Sequence, residues 1–110
     1  MTVEVSTRDG AQVVTLSGEI DLQTSPQVRD AVLGSLRQGG PVVVDMGGIA
    51  YIDSSGVASL VEGFQVARRQ GVAFVLAAVS PAAMRVLQLA RLDKVFAFQP
   101  DVDSALRDGI

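Results

Sequence analysis

Tyr51-Ile52-Asp53-Ser54-Ser55-Gly56-Val57 is the junction between two different hydrophobic patterns. Ahead of it runs Val42-Val43-Val44, followed by Asp45-Met46-Gly47-Gly48-Ile49, an apolar stretch of strand character. Behind it Val57, Leu60, Val61 and Phe64 fall at i, i+3, i+4 and i+7, the spacing of one buried helix stripe. Asp53-Ser54-Ser55-Gly56 therefore lies where a strand-rich region gives way to a helix. Short polar side chains suit that place, because they accept hydrogen bonds from the unpaired N–H groups of a first helical turn. A helix cap is one account of these residues. The other is a modifiable hydroxyl at a helix N-terminus, where backbone donors and the positive end of the dipole favour an added anion. The two are compatible, since one serine can cap while its neighbour faces outward.

Working outward, Val3 to Ser6 alternates apolar and polar residues, and Arg8-Asp9-Gly10 carries the Asp-Gly signal of a tight hairpin into a second strand, Gln12 to Ser17. Gly18 is expected to break that strand, leaving Gly18-Glu19-Ile20-Asp21 as a strand-to-helix loop. Thr24-Ser25-Pro26 reads as a hydroxyl cap with an early helical proline. Val28, Ala31, Val32 and Leu36 form the stripe of that helix, which Gly39-Gly40-Pro41 stops. The near-continuous valines of Pro41 to Asp45 predict a strand buried on both faces. The central helix is expected over about residues 55 to 69, ending at Gly71.

Val72 to Val79 predicts a second buried strand, and Ser80-Pro81 repeats the cap-plus-proline opening before a helix with Ala83, Met84, Leu87 and Ala90 inward. Lys94 to Phe98 reads as a short last strand. Pro100-Asp101 begins a final helix with Val102, Ala105 and Leu106 on its apolar face. The order β-β-α-β-α-β-α-β-α implies an α/β fold: a mixed, mostly parallel sheet of about five strands with helices packed against it. Strand-to-helix loops then gather at the C-terminal strand ends, where open α/β sheets carry their sites.

Composition narrows the function classes. The chain has 110 residues, read as one domain over 1–110, with 48% hydrophobic residues and no cysteine. No run approaches the roughly 18 apolar residues of a membrane span, and the N-terminus lacks a signal pattern, so a cytoplasmic location without membrane insertion is expected. A net charge of −3 argues against nucleic acid. Arg68-Arg69 is the basic pair, placed to solvate the negative end of the central helix. With no histidine and no cysteine there is no Ser-His triad, Cys nucleophile or usual zinc site, and no phosphate-binding glycine pattern appears. No cofactor or metal is expected. A catalytic or nucleotide-binding reading would rest on Asp21, Asp53 and Ser54 alone.

Gly18-Glu19-Ile20-Asp21, Asp45 with the small residues after it, Tyr51 to Val57, Ser80-Pro81 and Leu92-Asp93-Lys94-Val95-Phe96 together resemble the STAS domain family, in particular bacterial anti-sigma factor antagonists. The resemblance spans nearly the whole chain in unbroken order and implies the STAS fold. It implies that Ser54 is phosphorylated by a partner anti-sigma factor acting as a serine kinase, that phosphorylation releases that partner, and that a phosphatase resets the switch. Glu19, Asp21, Asp53, Ser54, Ser55 and Gly56 become the partner-binding residues. The small and apolar composition of the central and third helices is also similar to the STAS subunits of bacterial ABC-type lipid transporters, where the domain docks on the cytoplasmic ATPase. In that alternative Ser54 is a contact residue rather than a phosphate acceptor.

Overall fold

The Asp9-Gly10 pair takes φ values of 53° and 82°, the left-handed geometry that a two-residue hairpin turn demands. It joins β1 (Thr2–Arg8) to β2 (Ala11–Ile20) in an antiparallel pair without a register shift. From there the computed structural model, which describes residues 1–110, alternates helix and strand: α1 (Ser25–Leu36), β3 (Val42–Ile52), α2 (Ser54–Gln70), β4 (Phe74–Ala77), α3 (Pro81–Leu89), β5 (Ala97–Gln99) and α4 (Val102–Asp108). The sheet order β1-β2-β3-β4-β5 is the chain order, and every pair after the first is parallel. The mixed five-stranded architecture is thus the one the sequence implies.

Sequential order has a consequence for the layers. Each right-handed crossover to the next strand on the same side lays its helix on the same sheet face. Residues of α1, α2 and α3 accordingly share one core with Val14, Leu16, Val42, Val44, Phe74 and Leu76. The opposite face carries a smaller cluster, Val13, Val43, Val75 and Ala77 beneath Ala105 of α4. Alternating residues of β3 and β4 thus enter both cores, which is why neither strand shows a polar face in sequence.

Several boundaries differ from the sequence expectation. Gly18 does not end β2, which continues to Ile20, so Gly18-Glu19-Ile20 is strand and only Asp21 opens the loop. Likewise β3 does not stop at Asp45 but continues seven residues to Ile52. The pairing explains this: Thr15 faces Asp45 but Ser17 faces Gly48, and Gly18 faces Ile49 but Glu19 faces Tyr51. Each shift is a bulge in β3 that absorbs an extra residue while the ladder goes on. Conversely, β4 shrinks to Phe74–Ala77 and β5 to Ala97–Gln99, because pairing partners cover only those residues. Ala90 caps the end of α3 and is exposed rather than buried.

The buried face of α2 also departs from the large-residue stripe. Val57 and Leu60 are buried, but Val61 and Phe64 only partly, and the face is completed by Gly56, Ser59, Gly63 and Ala67. Small residues let α2 lie close on α1 and the sheet. A Cβ at Gly63 would come within 2.5 Å of Val32 Cγ1 and 3.1 Å of the Phe74 ring. Gly63→Val is therefore expected to destabilise the fold by about 1–3 kcal/mol through overpacking, seen as a lower midpoint in urea denaturation with the slope unchanged.

Candidate functional site

The C-terminal ends of β2 and β3 stand side by side, with Glu19 beside Tyr51 and Ile20 beside Ile52. Ile20 and Ile52 point into the core, so Glu19 and Tyr51 project from the opposite face and are exposed. The ladder closes with Asp53 N–H donating to Ile20 O at 3.1 Å. Asp21 and Asp53 then leave the two neighbouring strands together, and each carboxylate turns the chain into its helix.

Asp53 is the N-cap of α2. Its Oδ1 accepts from Ser55 N–H at 3.0 Å, Gly56 N–H at 3.3 Å and the Ser55 hydroxyl at 2.6 Å. The Ser55 hydroxyl, with help from these amides, holds the Asp53 carboxyl below its ordinary range. Asp21 builds a turn of its own. Its Oδ1 accepts from Gln23 N–H at 2.9 Å and Thr24 N–H at 3.0 Å, a local turn built on one side chain. Thr24 in turn makes no side-chain cap to α1. Its hydroxyl accepts from Asp21 N–H at 2.9 Å and lies 3.0 Å from Glu19 O.

The two serines are thereby separated in role. Ser55 is half-buried and its hydroxyl is committed to Asp53. Ser54, the first residue of α2, is exposed, and its hydroxyl makes no hydrogen bond. Gly56 is buried and presents nothing outward: a Cβ there would meet Ile20 Cγ2 at 2.6 Å and Ile52 Cγ1 at 2.7 Å. It lets the first turn of α2 sit down on the ends of β2 and β3.

Two surface residues escape the sequence reading. Leu22 is 77% exposed and Tyr51 49% exposed, both large apolar groups at the same strand ends as Glu19 and Ser54. The available signal was an apolar residue in a polar turn, Leu22 having no stripe partner at helical spacing. No three His, Cys, Asp or Glu side chains converge here or elsewhere as metal ligands. The cavity of the molecule, about 480 Å³ and lined by Ala78, Val79, Met84, Phe98, Gln99 and Pro100, contains none of Asp21, Asp53 or Ser54. Charge is divided along the strand direction. Glu19, Asp21 and Asp53 lie at the C-terminal strand ends, whereas Arg37, Arg68, Arg69, Arg91 and Lys94 follow or end helices at the other end and form no ion pair, outnumbering Asp9, Asp93 and Asp108 there.

Residues 2–105 match the STAS domain family. An anti-sigma-B factor antagonist of Bacillus subtilis (strain 168) is 24% identical over 95 residues, covering 86% of this chain and 87% of its own. Among solved structures, an anti-sigma factor antagonist from Mycobacterium paratuberculosis is 30% identical with a TM-score of 0.81, covering 96% of this chain and 91% of its own. The fold is also shared with a putative anti-sigma factor antagonist from Thermotoga maritima, at a TM-score of 0.87 and 16% identity, covering 96% and 92%.

Because the Asp53 carboxyl titrates below its unfolded value, its contribution to stability is complete above about pH 4 and is lost as pH falls through the lowered pKa. Asp53→Asn keeps an acceptor but not the charge. The stability gap between wild type and Asp53→Asn, read by urea denaturation, is expected to narrow between pH 6 and pH 2.5 on the order of the titration.

Proposed function

The chain belongs to the STAS domain family, and on that premise we propose that it is an anti-sigma factor antagonist working as a phosphorylation-controlled partner switch in the cytoplasm. Unphosphorylated, it binds an anti-sigma factor that is a serine kinase. Ser54 Oγ attacks the γ-phosphorus of the kinase's nucleoside triphosphate, the β–γ phosphoanhydride bond breaks to release nucleoside diphosphate, the hydroxyl proton passes to a base of the kinase, and the complex separates. A phosphatase restores the hydroxyl. The chain itself supplies the acceptor and the docking face rather than the catalysis.

One observation carries this reading: of two adjacent serines, Ser55 is locked on Asp53 while Ser54 is exposed with a free hydroxyl. The names of the relatives support the class of partner. The proposed contacts are Glu19, Leu22, Tyr51 and Ser54, with Asp21, Asp53, Ser55 and Gly56 shaping the surface beneath them.

Electrostatics gives the switch its direction. Phosphate adds about −1.5 to −2 charges. In the free protein the phosphate stands exposed to water at the positive end of the α2 dipole, where an anion is tolerated. Within a closed interface the same group meets Asp53 and Glu19, and it must shed water without a compensating cation from this chain. Binding is lost while the fold persists.

Ser54→Asp is expected to abolish capture of the anti-sigma kinase from lysate, with the melting temperature within a few degrees of wild type. Ser54→Ala retains capture and takes no label from radioactive nucleoside triphosphate. Gross unfolding of Ser54→Asp would refute the local switch. A transporter ATPase as the partner lost on substitution, with no label on the wild type, would replace this reading with the accessory-subunit one.

A further inference from the structure

Two adjacent hydroxyls at the mouth of α2 stand in very different surroundings. The Ser55 hydroxyl donates to Asp53 Oδ1 at 2.6 Å, a short, charge-assisted bond, and the same oxygen takes the Ser55 and Gly56 amides at 3.0 and 3.3 Å. Ser55 is half-buried, whereas Ser54 is exposed and its hydroxyl is bonded to nothing.

A carboxylate in contact with a hydroxyl can act in two opposite ways. It can take the proton and sharpen the oxygen as a nucleophile, or leave the proton in place and hold the oxygen still. The donors around Asp53 decide between them. The Ser55 hydroxyl first, then the Gly56 and Ser55 amides, hold the Asp53 carboxyl below its ordinary range, so it is a poor base and the proton stays on Ser55. The ester on Ser55 would be penalised as well. Without its proton, Ser55 Oγ becomes an acceptor pressed on Asp53 Oδ1, beside a phosphate of about −1.5 to −2 charges. The carboxylate would be driven off the two amides that start α2. Ser54 has no such bond to break.

On the premise of the switch described above, we propose that Asp53 determines which serine accepts the phosphoryl group: by holding the Ser55 hydroxyl it leaves Ser54 as the acceptor. The hydrogen bond does this rather than the charge alone. Asp53→Asn, which keeps an acceptor oxygen, therefore preserves the choice, and Asp53→Gly, which keeps none, relaxes it. Glycine serves at a helix N-cap nearly as well as aspartate, so the fold is retained. In the relaxed variant Ser55 Oγ attacks the γ-phosphorus as Ser54 Oγ does, nucleoside diphosphate leaving and the proton passing to the base of the kinase.

Two measurements test it. The first maps phosphate by mass spectrometry after incubation with nucleoside triphosphate and the kinase recovered on the wild-type chain. Wild type and Asp53→Asn are expected to carry phosphate on Ser54 over Ser55 at about ten to one or more. Asp53→Gly should carry it on both serines, and Asp53→Gly combined with Ser54→Ala should be labelled on Ser55. The second needs no kinase. The chain has no cysteine, so iodoacetamide reports a single introduced thiol. Ser54→Cys is expected to react as an open thiol and Ser55→Cys about tenfold slower or more, with Asp53→Gly closing the gap. Phosphate on Ser55 in the wild type or in Asp53→Asn overturns the proposal. So does a combined Asp53→Gly, Ser54→Ala chain that stays unlabelled while Asp53→Gly alone is labelled on Ser54. Equal alkylation rates at the two positions, or a gap that persists in Asp53→Gly, overturn it too, and decide the matter if Asp53→Gly no longer meets the kinase. Absence of label from every chain, wild type included, refutes the switch itself.

Discussion

The carboxylate of Asp53 decides where α2 begins, and the rest of the site follows from that. By gathering two amides and the Ser55 hydroxyl onto one oxygen, it fixes Ser54 as the first helical residue. A helix turns about 100° per residue. A start displaced by one position would rotate Ser54 away from its present outlook and swing Gly56 off the ends of β2 and β3. The hydroxyl of Ser54 is free because its neighbour's is not.

That local arrangement is supported from below by chain topology. Bulges in β3 keep it paired with β2 well past the point where β4 has stopped, so the two strands deliver their ends together. Asp21 and Asp53 leave from adjacent positions and each builds its own turn. The outcome is a solid surface of strand ends and a helix mouth, not a cleft. The cavity of the molecule is formed by other residues, near the ends of β4 and β5. Such a surface suits recognition by another macromolecule better than enclosure of a small substrate.

The order of elements, the hairpin turn, the parallel sheet and the capped start of α2 were all legible in the sequence, because each depends on local chemistry: Asp-Gly for the turn, valine runs for double burial, Asp-Ser-Ser for the cap. Strand lengths were not. Whether Gly18 breaks a strand or passes through it depends on a partner that can bulge, and β3 supplies that partner from thirty residues away. The roles of Asp21 and Gly56 were hidden for related reasons. That one carboxylate ties a turn through two backbone amides is not written in its letter, and a glycine's importance lies in what would strike its missing Cβ. Leu22 and Tyr51 stand out only once the fold leaves them uncovered.

The separation of acidic strand ends from basic helix ends makes the molecule a permanent electric dipole along the sheet, despite its modest net charge. A charged body approaching it exerts a torque before it touches anything, turning one particular end toward the encounter. Such guidance reaches about 8 Å at physiological ionic strength and fades as salt is added. Orientation on approach is thus written into the same crossovers that build the fold, since each helix must finish where the next strand begins.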